Sequence, residues 1–96
     1  MGTSRRPQPL RLPSKLQRIR TQLGLTQEKL AKALKSSRSR VYPGHISEFE
    51  RGKREPSALT LLGYARLAGV PMEVLVDDKA ELPTRLPGPR KKNSKR

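Results

Sequence analysis

An all-α fold is what this 96-residue sequence predicts, and three observations predict it. Apolar residues recur at helical spacing, no stretch alternates convincingly with period two, and helix-starting and helix-stopping residues punctuate the chain. Charge then divides the chain into three parts. Residues 1–13 hold Arg5, Arg6 and Arg11 without an acid, residues 14–78 hold twelve bases and seven acids, and residues 79–96 hold seven bases against Glu81 alone. The two ends, MGTSRRPQPLRLP and ELPTRLPGPRKKNSKR, are proline-rich and nearly free of large core residues. Segments 1–13 and 79–96 are therefore expected to be disordered basic arms flanking one folded domain at 14–78.

Five helical segments are expected within that domain. Ser14 suits the cap of a first helix whose Leu16, Ile19 and Leu23 recur at i, i+3 and i+7, and Gly24 stops it. Thr26 caps a second helix with Leu30, Ala31 and Leu34 on its inner face. The polar run KSSRSR follows as a loop. Pro43 fits the first turn of a third helix, where its missing N–H costs nothing, and Ile46, Phe49 and Glu50 share one face of it before Gly52. Ser57 caps a fourth helix with a stripe of Leu59, Leu62, Ala65 and Ala68, ended by Gly69. A short fifth segment, Pro71 to Val76, carries Met72 and Leu75 inward. There is no internal repeat.

Composition excludes several kinds of function. The sequence has no cysteine, so disulfides and thiolate metal sites are ruled out, and His45 as the lone histidine cannot build an imidazole cage. No cofactor and no metal are expected. No apolar run approaches the ~20 residues of a membrane span, and the N-terminus has no apolar signal core, which points to the cytoplasm. Paired carboxylates, an activated nucleophile and a phosphate-binding glycine loop are all lacking in a suitable context, so no enzyme is expected. The net charge of +14 instead points to a polyanion. Nucleic acid fits better than an anionic membrane, because no strongly amphipathic basic helix is present.

Three stretches carry a resemblance to a known family: IRTQLGLTQEKLAKAL, ISEFERGKREPS and LTLLGYARLAGVPMEVLVDD. In this order they resemble the helix-turn-helix domain of phage repressors and Xre/Cro-like regulators, over about residues 14–78. The resemblance implies a five-helix lambda-repressor-like fold with the helix-turn-helix at helices two and three, the third being held in the major groove of double-stranded DNA. It further implies an ion pair between Arg20 and Glu50, and phosphate contacts from Thr26 and Gln27 at a helix N-terminus. Arg51, Gly52 and Lys53 follow the third helix, where two cations flank a glycine whose backbone can approach phosphate.

The sequence departs from the family pattern between Ala31 and Ile46, where the connection is longer by about five residues. Pro43 and Gly44 then fall in the first turn of the reading helix, and neither has a side chain for a bidentate base contact. Base reading is left to His45, Ser47 and Glu48, or to Tyr42, Arg38 and Arg40 from the longer loop. The plainer alternative is a solvated loop touching phosphate only.

The function expected is a sequence-specific transcriptional regulator, a repressor binding a short operator as a homodimer in a bacterial or phage setting. Val70, Met72, Val74, Leu75 and Val76 are either its dimer surface or core. An antitoxin-type autorepressor with a toxin or co-regulator as protein partner is a variant of that reading. A general RNA- or ribosome-associated basic protein explains the charge but not the ISEFERGK run, and aromatic residues for base stacking are scarce. An adaptor that keeps the fold without reading DNA is a third reading, suggested by Pro43-Gly44.

Overall fold

The computed structural model describes residues 9–35 and 40–88. Among them are five helices and no strand: α1 (Leu12–Gln22), α2 (Gln27–Lys35), α3 (Pro43–Glu50), α4 (Ala58–Ala68) and α5 (Met72–Val76). The described parts of the protein are thus all-α, as the apolar periodicity indicates. Leu16, Ile19, Leu30, Leu34, Ile46, Tyr64 and Leu75 form the centre of one core, all of them fully buried.

Helix α1 begins earlier than Ser14. Its N-cap is Arg11, and Pro13 lies in the first turn, where a residue without an N–H fits. Ser14 is inside the helix and exposed. The acceptor that a capping serine was expected to supply comes from the far end of the domain. Asp78 Oδ2 accepts from the Leu10 N–H at 2.9 Å, and Asp78 Oδ1 accepts from the Arg11 N–H at 3.0 Å. These two bonds hold the Asp78 carboxyl below the usual carboxylate range. Leu12 is a core residue, so this part of the expected N-terminal arm is folded. Residues 1–8 lie outside the described residues.

The opposite end of α5 is tied back in return. Lys15 is buried along its length, and its Nζ donates to the carbonyls of Val74 at 2.7 Å and Asp77 at 2.9 Å. Those carbonyls close a five-residue helix too short to stand alone, and a cation at a helix C-terminus is favourable. Burial pushes the Lys15 ammonium below its ordinary value, with Arg11 adding to the effect and Asp78 and Asp77 opposing it. Each of the first and last helices is therefore capped by a side chain from beside the other.

The caps of α2 and α4 are those the sequence predicts. Thr26 Oγ1 accepts from the Lys29 N–H at 3.0 Å, and Ser57 Oγ accepts from the Thr60 N–H at 3.2 Å. The buried stripe of α4 differs from expectation, however. Ala65 and Ala68 are buried, but Leu61 and Tyr64 take the places assigned to Leu59 and Leu62, and Leu59 is 53% exposed. Leucines at 59, 61, 62 and 67 offer the helix more than one apolar stripe, and the large Tyr64 decides between them. Its hydroxyl is buried with no hydrogen-bond partner among the described residues, and burial raises its pKa.

On α5, Leu75 is core, and Val70, Met72 and Val74 pack partly buried against it. Only Val76 of the candidate dimer stripe is an exposed large apolar residue.

Residues 79–88, expected to be a loose arm, are structured as a strap lying along α1. Leu82 enters the core and Leu86 packs beside it. Arg11 Nη2 pairs with Glu81 at 3.1 Å, and Arg18 Nη2 donates to the Pro83 carbonyl at 3.1 Å. Gln22 makes two bonds, from Nε2 to the Thr84 carbonyl at 2.9 Å and from the Leu86 N–H to its Oε1 at 3.2 Å. The strap then closes on α4, where the Gly88 N–H donates to the Ala68 carbonyl at 3.0 Å. Gly69 is required at this crossing twice over. Its φ is +76°, and a Cβ there would collide with the Gly88 carbonyl.

Candidate nucleic-acid interface

Helix α3 is built with an inner and an outer face. Ile46 and Phe49 are buried on the inner face, and Glu50 follows them with a side chain only 6% exposed. A buried carboxylate needs compensating donors, and Arg20 of α1 supplies them in a fork. Its Nε donates to Glu50 Oε2 at 2.6 Å and its Nη2 to Oε1 at 3.0 Å, while Nη1 donates to the Leu25 carbonyl at 3.1 Å. The Gln27 amide adds a longer bond to Glu50 Oε1 at 3.4 Å. One guanidinium thereby joins α1, the turn before α2 and the end of α3, and the first residue of α2 joins the same carboxylate. The carboxylate bonds raise the Arg20 pKa further.

The start of α3 is fixed differently. Tyr42 is its N-cap and Pro43 its first residue. The His45 side chain reaches back, its Nδ1 accepting from the Tyr42 N–H at 3.3 Å. Its ring meets Tyr42 edge-on, with centroids 5.4 Å apart, and lies 6.5 Å from Phe49. An accepting Nδ1 in the neutral ring places the proton on Nε2, which has no partner among the described residues and is a donor. Val41, just before the cap, is 2% exposed and plugs the chain into the core after the long connection.

The outer face carries Ser47 and Glu48. The Ser47 carbonyl accepts from both the N–H and the Nε of Arg51, at 3.1 and 3.3 Å. Glu48 Oε1 accepts from Arg54 Nε at 2.6 Å, and this partner lowers the pKa of the Glu48 carboxyl. Beyond the helix, Arg51, Gly52 and Lys53 are all exposed. The backbone donors expected to meet phosphate here are engaged by the helix itself. The Gly52 N–H donates to the Phe49 carbonyl at 3.2 Å and the Lys53 N–H to the Glu48 carbonyl at 2.8 Å, with Gly52 at φ +73°. This is the left-handed closure that satisfies orphan carbonyls, so the cationic side chains alone remain available for an anion. At the start of α2, Thr26 is exposed and the N–H groups of Gln27 and Glu28 have no acceptor among the described residues.

The helix-turn-helix family model matches residues 16–75, from Leu16 of α1 to Leu75 of α5. The chain belongs to the Xre/lambda-repressor-like helix-turn-helix family. It is accordingly a DNA-binding transcription regulator, and its α2–α3 pair is the helix-turn-helix. No curated protein and no solved structure matches the chain significantly. No group of metal-ligating side chains and no helix long and apolar enough to cross a membrane occurs among the described residues.

Within the helix-turn-helix, the residues singled out in the sequence fall into separate places. Arg20 and Glu50 meet directly. Tyr42 and His45 meet at the start of α3, and Arg40 lies exposed just before them. Arg38 lies outside the described residues. Sequence reasoning missed Arg54, whose carboxylate partner ties it to the reading helix, and Lys29, Lys32 and Lys35, all exposed on α2. Their i, i+3 spacing in the sequence was the available signal.

Proposed function

We propose that this regulator is a repressor that binds a short, two-fold symmetric operator as a homodimer, with α3 entering the major groove. The observation that carries the reading is the buried Arg20–Glu50 fork, with Gln27 attached. It fixes the outer face of α3 relative to the start of α2, and a rigid pair of helices is what groove docking requires. In this reading Thr26 and Gln27 meet phosphate through the α2 N-terminus, and Arg51 and Lys53 meet it through their side chains, with Gly52 shaping the turn.

Base contacts are assigned to the His45 Nε2–H, to Ser47 and to the Glu48–Arg54 pair, with Tyr42, Arg40 and Arg38 flanking them. Pro43 and Gly44 offer bases no polar group, so specificity shifts toward the C-terminal half of α3. Glu48 reads a cytosine amino group only through an oxygen it does not share with Arg54. The protein acts in the cytoplasm, on the nucleoid or on phage DNA.

The test is selection of bound fragments from random DNA, followed by footprinting over a range of salt. A recovered palindrome with two protected half-sites about one helical turn apart supports the reading. Binding that collapses with salt and shows no preferred sequence overturns it in favour of a general nucleic-acid-binding protein. Equal losses on specific and random DNA for Arg40→Ala remove that residue from base reading.

A further inference from the structure

The tip of α3 holds a glycine that folding does not call for. In a helix-turn-helix the first turn of the reading helix meets base edges, and here that turn starts with Tyr42, Pro43 and Gly44. Tyr42 is 55% exposed, and Pro43 and Gly44 are exposed beside it. Gly52 and Gly69 answer to a positive φ, but Gly44 has an ordinary helical backbone, and a Cβ built on it would meet nothing within 4 Å. Alanine would fit the folded chain and form the better helix. A glycine that the chain's own packing does not require suits the close approach of another molecule.

The two residues before it are held in place. Val41 is anchored in the core, the His45 ring meets the Tyr42 ring edge-on at 5.4 Å, and Pro43 fixes its own φ. Tyr42 and Pro43 border a cleft with Ala31 and Val41 in its wall, where Lys32 and Lys35 outweigh Glu28. That charge bears on the occupant: it disfavours a second copy of this basic chain and suits a polyanion. On a DNA duplex, the group in the major groove that an apolar ridge recognises is the 5-methyl of thymine.

We infer that Tyr42 and Pro43 form an apolar lip that reads the 5-methyl group of a pyrimidine, and that Gly44 is the gap through which the duplex comes close enough for that contact. This rests on the DNA-binding reading above, with α3 in the major groove. The lip favours thymine or 5-methylcytosine over the same position without a methyl. It gives the start of α3 a part in sequence choice that needs no hydrogen bond, beside the polar contacts further along the helix.

The experiment uses the full chain on the operator recovered above, with each thymine of one half-site replaced in turn by uracil, which removes only the methyl. Binding is expected to weaken about fourfold at one thymine, the worth of one buried carbon, and to be unchanged at the others. At that position a cytosine–guanine pair is expected to bind more tightly, by a similar factor, when the cytosine carries a 5-methyl. The double variant Tyr42→Ser with Pro43→Ala removes the lip but leaves a strong capping residue, and is expected to bind the thymine and uracil operators equally. Gly44→Ala is expected to keep or raise the thermal midpoint while weakening operator binding at least about fivefold, the cost of a mismatched base pair.

Indifference to methyl removal at every thymine, a half-site without thymine, or a methyl effect undiminished in the double variant overturns the inference and leaves the repressor reading intact. Undiminished binding by Gly44→Ala overturns the close approach. If the full chain selects no preferred sequence, the repressor reading fails and the inference falls with it.

Discussion

The two faces of α3 carry two ion pairs of the same length. Arg20 Nε lies 2.6 Å from Glu50, and Arg54 Nε lies 2.6 Å from Glu48, two residues earlier on the same helix. The difference is water. The inner pair is 17% and 6% exposed in its side chains, is bidentate, and has a carbonyl and an amide at its edges; the outer pair is 50% and 38% exposed. Distance alone therefore says little about what each pair does. Removing one partner of the inner pair strands a charge away from solvent, whereas the outer pair exchanges readily with water or with a nucleic acid.

The largest expected effect follows from the inner pair. Glu50→Ala is expected to lose about 3–5 kcal/mol of stability, enough to abolish most of the folded population of a domain this small. Chemical denaturation measures it, and a loss indistinguishable from that of Glu48→Ala would erase the contrast between the faces. Next in size is the double variant Arg20→Met with Glu50→Leu. It is expected to be more stable than either Arg20→Met or Glu50→Leu alone, since neither charge is then left stranded. It is also expected to bind DNA less well, because apolar packing does not fix the α1–α3 geometry as a fork does.

Acid sharpens the contrast on the exposed side. Glu48, Asp78 and Glu81 all have carboxyls held below their ordinary values, by Arg54, by the Arg11 and Leu10 N–H groups, and by Arg11 respectively. Their contributions are complete above the unfolded-state values near 4, and are lost as pH falls through the lower folded-state values. Thermal midpoints should therefore be insensitive to these groups from about pH 5 upward and decline below about pH 4. Asp78→Asn should decline less steeply there than the unaltered chain.

The smallest effect on stability belongs to Glu48→Gln, with only a slight lowering of the midpoint expected, since an exposed pair contributes little. Its effect on DNA is the informative one. Freeing Arg54 and removing a negative charge is expected to tighten binding to random DNA and to steepen the salt dependence by about one unit of slope, while weakening the preference for any cytosine that Glu48 reads.

Much of the fold was legible because its signals are local. Thr26 and Ser57 mark helix starts through their own hydroxyls, Gly24, Gly52 and Gly69 mark helix ends through their own backbones, and Leu16, Ile19, Leu30, Leu34, Ile46 and Phe49 repeat at helical spacing. The buried fork was legible only through resemblance, since spacing does not say that Arg20 and Glu50 meet. What escaped was non-local. Leu12 and Leu82 sit in proline-rich sequence that looks solvated, and their burial goes with bonds from Arg11 to Asp78, from Lys15 to Val74 and from Gln22 to Thr84, each across more than fifty residues. Val41 stood alone in a polar loop, with no periodic neighbour to announce it. The α4 stripe was ambiguous because four leucines compete, and only the tertiary placement of Tyr64 resolves it.

The reciprocal capping of α1 and α5 has a consequence for how the chain comes to be folded. Leu10 and Asp78 are separated by 68 positions, so the first helix waits for its terminal acceptor until nearly the entire domain has left the ribosome. A nascent α1, with Lys15 lacking its two carbonyls, has little to hold it, since short helices are marginal in water. Closure of the two ends then comes late in synthesis, because a chain that stops short of residue 78 lacks the acceptor for the Leu10 and Arg11 N–H groups.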